Sequence, residues 1–194
     1  MSRFKVGVPM YFAARAAKED GLKRVLSGQG GDELFGGYNR YLAHAVKKDY
    51  AALRKAMDSD VDTAYIDNLD RDTAVFKAFG IELCFPYMNK EFGDYAMSLP
   101  YEMKVFEVGG DSEFGCIDEV DGRRFVRKYV QRCLARELGL PKFILDRKKK
   151  AAQYGSSSEK LINKIAKSSG FKKKAEEAGR QDYVRMYLES LLSE

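Results

Sequence analysis

The sequence predicts a mainly α-helical domain over residues 1–194 that carries one or two short strands. Helical apolar periodicity is the commonest pattern and is strongest over residues 124–138, where six apolar side chains share one face. Extended patterns are confined to residues 23–26 and 81–85. A chain of 194 residues, 45% hydrophobic and 32% charged, is large enough to bury one core.

The first elements are an alanine-rich helix and a short strand. Residues 8–20 are predicted to be helical, with Pro9 in the first turn and Gly21 after the last. Residues 23–26 are predicted to be a strand, and no other segment is a convincing parallel partner for it. Because an isolated strand has an exposed edge, we expect a partner chain or a second copy to cover Lys23–Ser27, or the segment to adopt another structure.

The middle of the chain is predicted to be helical with one extended break. An apolar stripe predicts a continuous helix over 38–57, and D-S-D-V-D at 58–62 is predicted to cap the next helix. A further helix is predicted over 70–79 and ends at Gly80. Residues 81–85 are predicted to be extended, because Pro86 disfavours helix before it. A short helix over residues 90–98 is predicted to stop at Leu99-Pro100.

The last third is predicted to contain one loop and several helices. The glycine-rich, acidic residues 106–122 favour a loop or an irregular hairpin, and Gly139 closes the helix over 124–138. Ser156 and Glu159 have capping-box spacing before a further helix, and residues 182–192 form the last. We therefore divide the single domain into residues 1–155 and a basic helical end, residues 156–194.

Composition excludes several classes of protein. No apolar run approaches the roughly 18 residues that span a membrane, so no membrane partner is expected. The three scattered cysteines (Cys84, Cys116 and Cys133) favour reduced, mostly buried thiols in the cytoplasm. The net charge of +5 is low for nucleic-acid binding, and no recognised module for it is present.

The most informative segment is Val25–Tyr41, which reads V-L-S-G-Q-G-G-D-E-L-F-G-G-Y-N-R-Y. A glycine-rich turn after a strand exposes backbone N–H groups that can bind an anion. The adjacent carboxylates of Asp32 and Glu33 suit a hard cation, which would hold a phosphate. The alternative is a tight strand-to-helix turn whose glycines only relieve backbone strain, and spacing alone leaves both interpretations open.

This segment resembles the S-G-x-G-x-D-E-x-F-G-G-Y signature of the synthetase domain of asparagine synthetases. Two later segments are similar to further blocks of that family in the same order: Arg71–Pro100 resembles R-(x)n-G-x-E-x-R-x-P-F-L-D, and Leu140–Ser156 resembles R-x-K-x-A-x-x-x-G. The resemblance implies that the chain is the C-terminal helical part of an asparagine-synthetase-type α/β domain (a PP-loop ATPase).

The chain also departs from the family pattern. The family's ATP-binding loop S-G-G-x-D-S is absent from these 194 residues, and Ser2 follows Met1 where the glutaminase domain has its cysteine. Gln29 stands where the family usually has glutamate, Cys84 where it has arginine and Asn89 where it has aspartate. These departures predict that the chain lacks autonomous synthetase activity.

The resemblance implies a site for Mg²⁺ and ATP or pyrophosphate, if the family site is retained, and no cofactor otherwise. Asp32, supported by Glu33, would hold the metal, and Lys149 would stabilise phosphates in the transition state. The remaining implied nucleotide contacts are Ser27, Gly28, Gly30, Gly31, Arg147 and Lys150. Residues 147–150 would otherwise be a solvated basic turn.

Two further positions bear on catalysis. Gln29 cannot take up a proton as a glutamate could. Glu82 would carry part of the lost charge, or would simply be a structural carboxylate. His44 is expected to be a helix residue and not a catalytic base.

Two functions follow from this resemblance and its departures. The first is an asparagine synthetase-related protein without its own activity that acts by association, as a homodimer or with a partner chain over Lys23–Ser27. The alternative is one subunit of a split ATP-dependent amide-forming synthetase, which a partner chain completes. Binding of nucleic acid by the basic end is the third and least supported hypothesis.

Overall fold

The computed structural model describes residues 2–149 and 151–191, and most of them are helical. The α-helices are α1 (Ser2–Glu19), α2 (Gly31–Phe35), α3 (Leu42–Val46), α4 (Tyr50–Ala64), α5 (Asp70–Ala78), α6 (Lys90–Ser98), α7 (Tyr101–Lys104), α8 (Tyr129–Glu137), α9 (Lys142–Leu145), α10 (Ala152–Gly155), α11 (Ser158–Ser168), α12 (Phe171–Glu177) and α13 (Tyr183–Ser190). The strands are β1 (Arg24–Leu26), β2 (Glu82–Cys84), β3 (Val105–Glu107), β4 (Asp118–Val120) and β5 (Arg123–Arg127). The prediction of a mainly α-helical fold is confirmed.

The described residues form two compact units. One contains the described parts of residues 1–21 and 150–194, and the other contains residues 22–149. In the first unit α1 packs on α10 and α11, and a small core of Ile162, Ala166 and Val184 packs against Val8. In the second unit the largest core joins α3, α4, β3 and β5 through Tyr41, Leu42, Ala45, Leu53, Met57, Val105 and Phe125.

Strand β1 has a parallel partner, so the prediction that it lacks one was wrong. It pairs with β2 in the register Arg24↔Glu82, Val25↔Leu83 and Leu26↔Cys84. The extended segment before Pro86 was recognised in the sequence, but three residues are too few to show pairing by their pattern alone. Leu22 and Leu26 at this sheet remain 48% and 69% exposed.

A three-stranded antiparallel sheet occupies parts of residues 105–127. Of the two alternatives predicted for residues 106–122, the irregular hairpin is therefore the better one, and the start of the predicted helix over 124–138 was wrong. The strand order is β3-β5-β4, and Asp121 and Gly122 connect β4 to β5 with φ of 50° and 70°. An Asp-Gly pair with positive φ at both residues is the preferred two-residue hairpin turn. Residues 123–127 are therefore a strand, and α8 begins only at Tyr129.

The predicted helix over 38–57 is interrupted. Lys48 has φ of 55° and ends α3, and the Asp49 carboxylate accepts a hydrogen bond from the Ala52 amide (3.0 Å) at the start of α4. Because α4 runs on to Ala64, residues 58–62 lie inside this helix and do not cap the next. An Asp side chain that can bond the first free amides of a new helix outweighs the continuous apolar stripe.

Two predicted caps were also placed wrongly. Helix α1 begins at Ser2, so Pro9 lies in its interior and not in its first turn. Helix α11 begins at Ser158, and its cap residue is Ser157, which has φ of 59°. The Ser156 hydroxyl accepts a hydrogen bond from the Ser158 amide (3.3 Å), so Ser156 lies one residue before the cap position. The helices over 70–79 and 90–98 and the glycine stop at Gly80 are as predicted.

Among the helices of the described residues, none combines the length and apolar composition needed to cross a membrane.

Candidate phosphate site

The glycine turn after β1 is shaped by close packing. The Ser27 amide donates to the Cys84 carbonyl (2.8 Å), and the Ser27 hydroxyl accepts from the Gln29 amide (3.3 Å). A Cβ on Gly30, whose φ is 92°, would lie 2.6 Å from Met88 Sδ, and one on Gly31 would lie 3.2 Å from the Tyr87 ring. Gly28 faces open space. Glycine at position 30 is therefore favoured by its backbone conformation, whatever the turn binds, and a side chain at position 31 would need the Tyr87 ring to shift by a few tenths of an ångström.

The turn places the Asp32 carboxylate next to two lysines. Its Oδ1 lies 2.9 Å from Lys128 Nζ and its Oδ2 lies 3.4 Å from Lys149 Nζ. The three side chains are only 22–25% exposed, so solvent screens this cluster less than a surface ion pair. Lys149 Nζ also lies 5.0 Å from the centroid of the Tyr38 ring. The structure thus brings together Asp32 and Lys149, two residues that the sequence assigned to one site.

Lys128 was missed in the sequence because it was assigned to the interior of the helix over 124–138. It is instead the junction between β5 and α8, with φ of 57°. A non-glycine residue in the left-handed region is uncommon and costs of order 1–3 kcal/mol. Here that backbone conformation directs the ammonium group to Asp32.

Gly37 makes the contact between Asp32 and Lys128 possible. A Cβ at this position would lie 1.9 Å from Asp32 Oδ1 and 2.6 Å from Lys128 Cε. Gly37, in the second glycine pair of the signature, therefore has a structural role, because only glycine leaves room at this position for the side chains of Asp32 and Lys128.

A small basic cleft adjoins this cluster. Its lining residues are Cys116, Asp118, Arg127, Lys128, Arg132, Lys148 and Lys149. The two arginines stabilise the fold: Arg127 pairs with Asp118 (2.7 Å), and Arg132 donates to the carbonyl groups of Arg127 (2.9 Å) and Arg147 (3.1 Å). Lys128 and Lys149 share the single carboxylate of Asp32, so their ammonium groups are the cations that an anionic ligand would meet.

Glu33, the second carboxylate of the signature, hydrogen-bonds with Tyr38. It is 3% exposed, and its Oε1 accepts a hydrogen bond from the Tyr38 hydroxyl (2.6 Å). Burial and the Glu33 carboxylate raise the pKa of Tyr38 above its usual value of 10.0. A metal-binding role for Glu33 stays a prediction, and its present contact is structural.

Gln29 is engaged by a buried carboxylate. Its Nε2 donates to Asp72 Oδ2 (2.7 Å), while Arg71 Nε donates to Asp72 Oδ1 (2.8 Å). Asp72 is 1% exposed, and it was not singled out in the sequence, where 43 residues separate it from Gln29.

Glu82 and Cys84 contact a different group of residues. Glu82 pairs with Arg24 (2.7 Å) across the exposed β1–β2 sheet, and this hydrogen bond to Arg24 lowers the Glu82 pKa. The Cys84 thiol lies 3.6 Å from Glu82. The structural alternative therefore describes the present contacts of Glu82, and its catalytic role stays a prediction.

The other predicted positions have simple surroundings. Arg147 is exposed, and Lys150 lies outside the described residues. Asn89 caps α6, since its Oδ1 accepts from the Phe92 amide (3.1 Å), as an aspartate could. His44 is a half-buried residue of α3.

A divalent cation would find one suitable carboxylate here. Within the described part of the chain no group of three or more His, Cys, Asp or Glu side chains could hold a metal by itself. Asp32 Oδ1 is buried, and no donor among the described residues meets it in hydrogen-bonding geometry despite the nearby Lys128 ammonium. Since Mg²⁺ is often held by one carboxylate together with ligand phosphates, the residues present fit a phosphate-bound Mg²⁺.

Comparison with known proteins agrees with the motifs. The asparagine synthase family model matches residues 5–59 and 45–192. A protein of Methanocaldococcus jannaschii named as a glutamine-hydrolyzing asparagine synthetase is 41% identical over 189 residues, which cover 90% of this chain and 35% of that protein.

Eukaryotic relatives align over shorter stretches. A Schizosaccharomyces pombe protein named as a glutamine-hydrolyzing asparagine synthetase is 29% identical, over 59% of this chain and 20% of that protein. An Asparagus officinalis protein of the same name is 33% identical, over 55% of this chain and 18% of that protein. The chain therefore spans about a third or less of the length of these relatives. With the family model matched along most of its length, the chain belongs to the asparagine synthase family and corresponds to a fragment of the synthetase domain.

Proposed function

We propose that this chain binds the phosphates of a nucleotide or of pyrophosphate through Asp32, Lys128 and Lys149, and that it forms no amide bond by itself. The observation that carries the proposal is the pair of ammonium groups at 2.9 and 3.4 Å from one carboxylate. A carboxylate held between two lysines suits a ligand that brings both negative phosphate oxygens for the lysines and a cation for the carboxylate.

Each residue would have a distinct part. The two lysines would bind phosphate oxygens and offset their negative charge. Asp32 would supply the protein's oxygen ligand to Mg²⁺, whose chemistry is to neutralise phosphate charge. The aromatic face of Tyr38, beneath Lys149, restricts where that ammonium group can move.

The binding part of the proposal is tested by calorimetric titration with pyrophosphate in the presence of Mg²⁺. We expect Lys128→Met and Lys149→Met each to weaken binding at least about tenfold, the effect of losing one charge-assisted hydrogen bond. Lys164→Met, which removes an exposed lysine of α11, gives the same change in net charge and is the control. Equal affinities in all four proteins would refute the site.

The sequence supports the second part of the proposal, the absence of autonomous synthesis. The S-G-G-x-D-S loop does not occur in these 194 residues, and Gln29 replaces the family's usual glutamate. Incubated alone with ATP, Mg²⁺, L-aspartate and ammonium, the chain should release no AMP. Release of AMP and asparagine by the purified chain would overturn this part and leave the phosphate site untouched.

An association role is favoured by the exposed leucines beside β1, Leu22 and Leu26. We propose that a second copy of the chain covers this edge. Sedimentation velocity of the full chain should show a dimer that Leu26→Glu weakens and Leu161→Glu, at a similarly exposed leucine of α11, does not. A monomer at all concentrations would contradict self-association and would favour the alternative, a split synthetase completed by a different chain.

A further inference from the structure

Strand β3 presents an exposed aromatic pair on one of its two sides. Successive side chains of a strand point to opposite faces, and accordingly Val105 is buried in the core while Phe106 is 37% exposed. The Phe106 ring stacks on the Tyr129 ring, with centroids 4.1 Å apart and an interplanar angle of 15°. Because each ring covers only one face of the other, the pair forms a flat apolar wall that still has surface for a ligand.

The loop that follows β3 is fixed near both of its ends. The Val108 amide donates to the Arg124 carbonyl (2.8 Å), and the Arg124 guanidinium donates to the Gly110 carbonyl (2.9 Å). Further along, the Gly115 amide donates to the Asp146 carboxylate (2.6 Å). These hydrogen bonds fix the loop without any ligand.

The aromatic wall and the loop border a cleft of about 230 Å³. Its lining residues are Phe106, Val108, Asp111, Ser112, Glu113 and Tyr129, and none of them lines the basic cleft beside Asp32. Pockets for drug-sized ligands have volumes of roughly 300–1,000 Å³. This smaller cleft therefore suits one compact chemical group.

The charged residues that line the cleft are both acidic. The Glu113 carboxylate is paired with Arg136. Asp111 is exposed, and its carboxylate has no ion-pair partner among the described residues. In a chain whose net charge is +5, this combination of an unpaired carboxylate and an aromatic wall favours a cation.

We propose that this cleft binds a guanidinium group, carried by a small molecule or by an arginine side chain. A guanidinium is planar, so it can lie against an aromatic ring while its N–H groups donate two hydrogen bonds to one carboxylate. Phe106 would supply the ring and Asp111 the carboxylate. Exposed cation–π contacts and ion pairs each contribute little free energy, so we expect a dissociation constant of about a millimolar or above.

The experiment is an NMR titration of the full ¹⁵N-labelled chain with methylguanidinium chloride at constant ionic strength. Methylurea is the control ligand, because it has nearly the same shape and no charge. The signals followed are the backbone amides of Val108, Asp111 and Ser112. We expect saturable shifts with methylguanidinium and at least about tenfold weaker binding of methylurea. Equal responses to the two ligands would overturn the proposal.

Matched variants test the two residues that would hold the ligand. Asp111→Asn and Phe106→Leu should each raise the dissociation constant for methylguanidinium about threefold or more, the effect of losing one exposed ion pair or cation–π contact. Glu119→Gln removes an exposed carboxylate of β4, with the same change in net charge, and should have no effect. Unchanged affinity in Asp111→Asn, or an equal loss in Glu119→Gln, would refute the site.

Two features keep the test decisive. Asp111 is an exposed loop residue, so its substitution tests the inference even if Phe106→Leu does not fold. A Gly-Arg-Gly peptide with blocked termini distinguishes the two sources of the guanidinium group. Tighter binding of the peptide than of methylguanidinium indicates an arginine side chain of a polypeptide, and equal or weaker binding indicates a small molecule.

Discussion

Gly37 lies so close to Asp32 that a Cβ at residue 37 would be 1.9 Å from the carboxylate oxygen Oδ1. The same Cβ would be 2.6 Å from Lys128 Cε. The absence of one side chain therefore allows an aspartate and a lysine from distant segments to meet.

The first prediction concerns this glycine. Gly37→Ala should lower the free energy of unfolding by about 1–3 kcal/mol, the usual cost of forcing atoms into a packed site. Gly93→Ala is the control, because a Cβ there meets nothing within 4 Å in helix α6, and it should stabilise by up to about 1 kcal/mol. Urea unfolding measures both. Equal effects would show that the close approach is relieved at no cost.

The second prediction concerns the hydrogen bond from Tyr38 to Glu33. Tyr38→Phe leaves a 3% exposed carboxylate without its hydroxyl donor and should cost about 1–3 kcal/mol of stability. Tyr95→Phe removes the hydroxyl of a 66% exposed tyrosine and should change stability by less than about 0.5 kcal/mol. Matching denaturation midpoints for the two variants would refute a stabilising Tyr38–Glu33 bond.

The third prediction concerns Lys104, which is fully buried. Among the described residues no carboxylate lies within ion-pair distance of its Nζ, which contacts Met97 Sδ (3.6 Å) and the Tyr101 ring (4.5 Å). Burial lowers the pKa of Lys104 from 10.5 to about 8. Folding therefore opposes protonation of this amine.

The sign of the pH dependence follows from this lowered pKa. Between pH 8 and 10.5 the unfolded chain binds the proton that the folded chain releases, so stability should rise with pH. The full effect of Lys104 on the free energy of unfolding is on the order of 3 kcal/mol. Above about pH 10 the raised pKa values of Tyr38 and Tyr41 lower stability. The increase due to Lys104 is therefore best measured below that pH. Lys104→Met should flatten the profile measured by urea unfolding. Parallel profiles for the two proteins would show that Lys104 keeps its ordinary pKa.

The fourth prediction concerns the hairpin between β4 and β5. Gly122 has φ of 70°, and a Cβ added there would meet nothing within 4 Å, so Gly122→Ala should cost about 1 kcal/mol from backbone strain alone. Gly122→Asn should cost less, because asparagine tolerates this conformation. If Gly122→Ala unfolds at a higher temperature than Gly122→Asn, backbone strain at residue 122 does not cause the loss of stability.

The sequence predicted the parts of the molecule that depend on local patterns. The glycine turn and the helices over 70–79 and 90–98 followed from local motifs. Family resemblance assigned Asp32 and Lys149 to one site, and the structure places their charged groups 3.4 Å apart. Lys128 and Asp72 could not be found in this way. The first depends on a left-handed backbone at residue 128, and the second depends on a contact across 43 residues.

One miss had an available signal. Asp121-Gly122 lies between two short extended runs and is a strong hairpin indicator. The helical stripe over 124–138 obscured it, since Phe125 and Val126 are buried on both sides of strand β5. Opposite-facing burial in a strand and a one-sided stripe in a helix cannot be distinguished over so few residues.

The proposed phosphate site depends most on Asp32, because this carboxylate would bind the metal ion. The most direct measurement is a calorimetric titration of the unmodified chain and of Asp32→Asn with pyrophosphate, each with and without Mg²⁺. We predict that Mg²⁺ strengthens binding at least about tenfold in the unmodified chain. In Asp32→Asn this enhancement should disappear, while metal-free binding stays equal or becomes tighter because both lysines are released. An Mg²⁺ enhancement of the same size in both proteins, or no binding by the unmodified chain, would contradict the proposed site.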